Sequence, residues 1–261
     1  MVRRRLGQHF VADPNLLDMI VRESGVGPGD VVLEVGGGAG ALTQRLAPRV
    51  GHLHVIELDE RLRAELEGVA AQREGVEVMW GDALRLDLGG LDPAPTKVVS
   101  NLPYSIATPL LLKTIEELDT VGSWTVLVQR EIADRLRAAP GSRTYGAPSV
   151  LVQLAADVEL LRGVDRAVFT PRPRVDSALL ALRRRGPAAS EPVRRLVHDA
   201  FAHRRKALAR SVELAAATRD RAGRRDAARA ALSEAGLPPD VRAEALSPEE
   251  FVRLADSLER H

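Results

Sequence analysis

Apolar residues fall in short runs along the first 140 positions. Val31-Val32-Leu33-Glu34-Val35, His52-Leu53-His54-Val55-Ile56, Val76-Glu77-Val78-Met79-Trp80 and the run ending at Val98-Val99 each have the length of a buried strand, and each gives way to glycine or polar residues. Between them apolar positions recur at helical spacing, as where Ala41-Leu42-Thr43-Gln44-Arg45-Leu46 opens a helical pattern. Asp13 before Pro14 predicts an N-cap and a helix over 14–24. Alternation of this kind through about residue 140 predicts an α/β fold, a parallel sheet with helices on both faces. Pro140-Gly141-Ser142 marks an exposed loop. Residues 150–161 and 178–182 read as two late strands of the same sheet. After the linker Gly186-Pro187-Ala188-Ala189-Ser190, helices are predicted over 192–216, 219–235 and 248–260, the last opened by a Ser247/Glu250 capping box. No internal repeat and no low-complexity tract is present.

The strand ends carry the chemistry. The first strand runs into Gly36-Gly37-Gly38-Ala39-Gly40-Ala41, which fits the loose nucleotide pattern G-x-G-x-x-G/A. Small residues there let main chain approach a ligand, and a helix N-terminus offers free N–H groups. The second strand ends in Glu57, placed as an acid that grips a ribose hydroxyl. The third ends in Gly81-Asp82-Ala83, and an acid there can accept the amine of an adenine ring. The fourth ends in Ser100-Asn101-Leu102-Pro103-Tyr104. An amide, a rigid proline and an aromatic ring suit a flat nitrogenous base: the Asn carbonyl accepts from an exocyclic amine and the Tyr face stacks. In an open parallel sheet, ligands bind at that carboxyl edge. The order ribose acid, adenine acid, amine-facing Asn favours S-adenosylmethionine, and a nicotinamide cofactor is the competing reading.

Several stretches together resemble the rRNA adenine N6,N6-dimethyltransferases, a family that includes small-subunit rRNA enzymes and the large-subunit enzymes of macrolide resistance. They are Leu6-Gly7-Gln8-His9-Phe10-Val11, Glu34 to Gly40, Gly81-Asp82-Ala83, the tetrapeptide Asn101-Leu102-Pro103-Tyr104, the loop from Val168-Phe169-Thr170-Pro171 to Val175-Asp176-Ser177-Ala178, and Phe201-Ala202-His203-Arg204-Arg205-Lys206. They span nearly the whole chain in order. There are departures: His9 stands where the family usually has Asn, Val11 where it has Leu, Ser105 where small-subunit enzymes commonly have Asn, and the glycine motif lacks a Pro after its first Gly.

The resemblance implies a Rossmann-like methyltransferase sheet with a small C-terminal helical domain. The catalytic, S-adenosylmethionine-binding domain would cover 1–185 with an N-terminal basic arm, and an RNA-binding helical domain 190–261. It implies catalytic roles for Asn101, Leu102, Pro103, Tyr104 and Phe169, and cofactor contacts from His9, Val11, Gly36, Gly38, Glu57, Asp82, Ala83 and Asn101. The substrate would be two adjacent adenines of small-subunit (16S) rRNA in an immature subunit, the enzyme a monomer with a part in ribosome maturation. The C-terminal Leu246-Ser247-Pro248-Glu249-Glu250-Phe251 resembles the small-subunit branch. The alternatives are a macrolide-resistance enzyme of large-subunit rRNA and a non-catalytic assembly or RNA-binding factor.

Composition narrows the chemistry. The 261 residues contain no Cys, which excludes disulfides, thiolate zinc sites, iron–sulfur clusters and a cysteine nucleophile. No metal site is assigned. No long apolar stretch or signal-like N-terminus appears, which reads as a cytoplasmic protein outside the membrane. The net charge of +1 is unevenly spread: residues 183–261 carry +5 and the rest −4. Arg3, Arg4 and Arg5, with Arg204, Arg205 and Lys206, are the residues expected to meet RNA phosphates.

In this reading the Asn101 side-chain carbonyl and the Leu102 main-chain carbonyl accept the two protons of an adenine N6 amine. That localises a lone pair otherwise delocalised into the ring. Tyr104 stacks on the base and Phe169 closes its other face. The base must be flipped or single-stranded, because N6 is engaged in a duplex.

Overall fold

The computed structural model describes residues 9–215 and 221–260, with the side chains of 221 and 222 left aside. It divides into two compact units, one of residues up to Ala133 together with Asp157–Arg184, the other of Asp134–Ala156 together with residues from Arg185 on.

The first unit is built on a seven-stranded sheet. Its elements in chain order are β1 (Phe10–Val11), α1 (Pro14–Ser24), β2 (Val31–Val35), α2 (Thr43–Leu46), β3 (His52–Glu57), α3 (Arg63–Ala70), β4 (Val76–Trp80), β5 (Lys97–Asn101), α4 (Ala107–Glu117), β6 (Ser123–Gln129), α5 (Arg130–Leu136, which crosses into the second unit), β7 (Ala156–Val164), β8 (Phe169–Thr170) and β9 (Ser177–Arg184). The strand order is β4-β3-β2-β5-β6-β9-β7. β2, β3, β4, β5 and β6 are parallel, and β9 runs antiparallel to β6 from Ser123↔Arg183 to Gln129↔Ser177. The chain leaves β2 outward to β3 and β4, then returns to the other side of β2 as β5. The order therefore reverses between β2 and β5, the place where open α/β sheets take ligands.

Sequence signals account for most boundaries. Asp13 Oδ1 accepts from Asn15 N at 2.9 Å, Pro14 occupies the first turn of α1, and Gly25 ends it in the left-handed conformation at φ 56°. β2 and β3 are buried along nearly their whole length, as strands covered on both faces must be. β1 and β8 make a separate two-stranded antiparallel ribbon with pairs Phe10↔Thr170 and Val11↔Phe169.

The second unit is helical: α6 (Ala147–Ala155), α7 (Glu191–Ala202), α8 (Leu208–Ala215), α9 (Arg221–Glu234) and α10 (Pro248–Leu258). α10 has the predicted capping box, Glu250 N to Ser247 Oγ and Ser247 N to Glu250 Oε2 at 2.7 Å. Tyr145, Phe201 and Phe251 pack ring against ring in its core, and Tyr145 Oη donates to the Leu246 carbonyl at 2.9 Å.

Three expectations change. Residues 150–155 form most of α6, not a strand; only 156–164 is β7. An apolar run has no period to distinguish the two, and Gly146, Pro148 and Ser149 decide for a helix start. The helix expected over 192–216 is two helices, because the chain turns at 203–207 and Ser211 Oγ takes the His203 N–H. Finally, 134–156 groups with the C-terminal helices, so the units do not divide at a single point between 185 and 190.

Candidate active site

The carboxyl ends of β2, β3, β4 and β5 bring Gly36, Glu57, Asp82 and Asn101 to one edge, as the strand ends predict. Two cavities open there. The larger, ≈ 240 Å³, is lined by Val35, Gly36, Ile56, Glu57, Leu58, Gly81, Asp82, Ala83, Leu84, Pro103, Ser105 and Ile106. The smaller is lined by His9, Phe10, Gly36, Gly38, Glu57, Asn101, Leu102, Pro103 and Tyr104. Gly36, Glu57 and Pro103 belong to both, so they form the partition.

The partition requires glycine. Gly36 sits at φ 83°, and a Cβ there would meet the Pro103 ring at 3.3 Å. Gly38, at φ 58°, lies under Phe10, whose ring a Cβ would meet at 2.9 Å. Glu57 is buried and held by three main-chain N–H groups: Leu58 and Asp59 donate to Oε1, and Gly38 to Oε2, each at 2.8 Å. A β3 acid is thereby tied to the glycine loop of β2.

Beneath that loop Glu34 is buried. Its Oε2 accepts from Thr43 Oγ1 at 2.7 Å. Burial pushes its carboxyl up to about 8, with the Thr43 hydroxyl opposing and the Glu57 charge adding to the rise.

Asp82 is partly exposed in the larger cavity, and its Oδ1 caps the Leu84 N–H at 3.0 Å. Ala83 is buried beside it. Leu58, Leu84 and Ile106 supply apolar walls that sequence reading missed. The signal for Leu58 is that, among the described residues, it is one of two large apolar side chains left exposed, at 51 %, directly after a strand-end acid.

Asn101 stands on the wall of the smaller cavity. Its Nδ2 donates to the His9 carbonyl at 3.1 Å, and Oδ1 accepts nothing from the described residues. Leu102 is buried, its N–H donating to the Leu127 carbonyl at 3.0 Å. Tyr104 is half-buried. Its hydroxyl lies 2.6 Å from Ser177 Oγ, and burial raises its pKa, so the phenol stays protonated. His9 places its ring 5.4 Å from that of Tyr104, while its Nδ1–H donates to the Pro171 carbonyl at 2.7 Å. The bond to Asn101 uses the main chain of residue 9, so a side chain other than Asn at that position leaves it intact.

Not every expected residue reaches the cavities. Phe169 is buried in the core with Val11, Leu16 and Leu179, paired through β8 to β1, and lines neither cavity. The ribbon turns its ring inward. Val11 is buried too, behind the glycine loop. In the second unit, Arg205 and Lys206 are exposed, but Arg204 is committed to Glu244 at 2.8 Å and to the Ser142 carbonyl at 3.3 Å. Arg3, Arg4 and Arg5 lie outside the described residues.

The profile of the family described as ribosomal RNA adenine dimethylase matches residues 1–260. A protein of Rubrobacter xylanophilus named ribosomal RNA small subunit methyltransferase A is 42 % identical, covering 97 % of this chain and 93 % of its own. One of the same name from Thermobifida fusca is 43 % identical, covering 97 % and 89 %. Among solved structures, a dimethyladenosine transferase from Plasmodium falciparum superimposes with a TM-score of 0.78 at 23 % identity, over 94 % and 96 % of the two chains. The 23S rRNA methyltransferase ErmE does so at 0.67 and 26 %, over 96 % and 99 %.

Proposed function

The chain belongs to the ribosomal RNA adenine dimethylase family, and on that premise we propose how its residues divide the work of methylating an adenine. It is an S-adenosylmethionine-dependent enzyme that dimethylates adenine N6 in small-subunit rRNA. The small-subunit assignment rests on relatives 42 % and 43 % identical, against 26 % for the 23S enzyme.

The edge of the sheet fits the cofactor. Gly36 and Gly38 keep main chain bare at left-handed positions where a Cβ would press on the Pro103 and Phe10 rings. Glu57 is fixed at the partition for a ribose hydroxyl, and Asp82 stands in an apolar slot for an adenine amine. His9 and Ala83 shape the walls, and Val11 backs the glycine loop. When bound, S-adenosylmethionine supplies an electrophilic methyl carbon on its sulfonium.

The chain's own part is to aim a poor nucleophile. Asn101 Oδ1 and the Leu102 carbonyl accept the two N6 protons and turn the lone pair out of conjugation. Because the His9 carbonyl fixes Nδ2, the amide cannot turn its nitrogen to the substrate. Pro103 holds the main chain against the partition, and Tyr104, pinned by Ser177, offers its ring face to the extruded base. The rate gain comes from positioning and preorganised dipoles, and no strong base is needed because the methylated amine is acidic. The targets are two adjacent adenines in an immature small subunit, met by a monomer in the cytoplasm, with Arg3, Arg4, Arg5, Arg205 and Lys206 contacting phosphates. Among the described residues no helix is long and apolar enough to cross a membrane.

The carrying observation is the Asn101 amide, fixed at its nitrogen end on the cavity wall. Mass mapping of small and large ribosomal subunits incubated with the protein and S-adenosylmethionine tests the reading. Two neighbouring dimethyladenines in small-subunit rRNA are expected, and modification confined to the large subunit would overturn it.

A further inference from the structure

On the amino-terminal half of β3 and β4, away from the catalytic edge, three ligand-type side chains converge. His52 and His54 alternate onto one face of β3, and Glu77 lies beside His54 in the β3–β4 register. One donor atom of each lies within 4.8 Å of the others. His54 Nδ1 is 3.6 Å from Glu77 Oε2, His52 Nε2 is 3.7 Å from it, and the two rings are 4.3 Å apart.

These atoms do not satisfy one another. His54 is 1 % exposed, and its Nε2–H donates to the Pro93 carbonyl at 2.8 Å. That bond leaves Nδ1 as the ring nitrogen turned toward Glu77. Nδ1 is buried without a hydrogen-bond partner, and so is Nε2 of His52. Folded proteins rarely leave such atoms unmet. Two imidazole nitrogens and a carboxylate oxygen thus converge, with both nitrogens buried and without a hydrogen-bond partner.

We infer that His52, His54 and Glu77 form a binding site for one divalent cation of the zinc class. Zinc bonds of ~2.0–2.1 Å at tetrahedral angles set ligand atoms about 3.3 Å apart. The 3.6 and 3.7 Å separations from Glu77 need only a few tenths of an ångström of closure and are long for hydrogen bonds, and the two imidazole nitrogens lie within 4.8 Å of each other. Imidazole with carboxylate suits zinc, cobalt and nickel better than calcium or magnesium. The Pro93 carbonyl is the outer-shell acceptor such a histidine needs. Glu77 is half-exposed, giving the ion an entry path and water as its fourth ligand. β4 is the edge strand that leads to Asp82, so the ion would fasten that strand to β3.

Tag-free, EDTA-stripped protein titrated with Co2+ tests the assignment. We expect one equivalent to bind, with visible absorption bands of four-coordinate cobalt that Zn2+ abolishes, and a raised melting temperature. His54→Gln and, as a surface change that leaves the core intact, Glu77→Gln should each weaken binding roughly 100-fold or more, beyond the 10–100-fold typical of outer-shell changes. The absence of saturable binding of either metal would overturn the proposal and leave a water-filled or imidazolium–carboxylate cluster. So would equal binding by the folded His52→Gln/Glu77→Gln double variant.

Discussion

The Nδ2 of Asn101 donates to the main-chain carbonyl of His9 at 3.1 Å, which joins the end of β5 to the segment entering β1. One donor–acceptor pair therefore sets which end of the amide meets the cavity. Asn101→Ala should lower kcat by about 10²–10³-fold, the range for losing one preorganised polar group. The affinity for S-adenosylmethionine should change far less. Stopped turnover assays beside calorimetry check this, and an unaltered kcat would remove Asn101 from the chemistry.

Phe169 packs inside the core, so its effect belongs to stability. Phe169→Ala should cost about 3–5 kcal/mol in denaturant unfolding. Phe169→Leu, which refills most of the volume, should keep kcat near that of the parent protein. A collapsed kcat in a fully stable Phe169→Leu variant would return the ring to the base.

Glu34 should make stability depend on pH. Its carboxyl ionises near 4.5 when unfolded and at about 8 when buried. Below 4.5 both states hold the proton, and stability is highest on this account. As pH rises from 4.5 to 8 the unfolded state loses its proton first, so stability falls, and above 8 it levels off. Glu34→Gln keeps an acceptor for Thr43 and should abolish that fall, raising the melting temperature at pH 8 relative to the parent protein. Thermal melts across this window decide it.

Arg204 and its neighbours should separate. Arg204→Ala removes the Glu244 partner and should lower the melting temperature. Arg205→Ala and Lys206→Ala should leave stability alone, weaken rRNA binding, and reduce the salt slope by about 1 for each phosphate no longer neutralised. Equal salt slopes in all variants would make these residues ordinary surface.

The strand-end chemistry is legible because parallel strands deliver their carboxyl ends to one edge wherever an apolar run stops. Gly36, Glu57, Asp82 and Asn101 each follow such a run, and each lines a cavity. The asymmetric amide is not legible, since it depends on a main-chain carbonyl 92 residues away. Nor is the inward turn of Phe169, set by a ribbon of two-residue strands too short to leave a pattern. Residues 150–155 mislead because Val150-Leu151-Val152 fits a buried strand as well as a buried helix, and the deciding cap lies upstream at Gly146. His54 and Glu77 meet only through strand register, which a sequence does not print.

The ribbon that joins Phe10 to Thr170 and Val11 to Phe169 has a consequence for biosynthesis. One wall of the smaller cavity is built from His9 and Phe10, and the strand that seats it follows about 160 residues later in the chain, as the Phe10↔Thr170 pairing requires. A nascent chain halted before that point holds the glycine loop, the acids and the amide, yet cannot close the pocket around them. Closure of that cavity thus waits until β8 has been made.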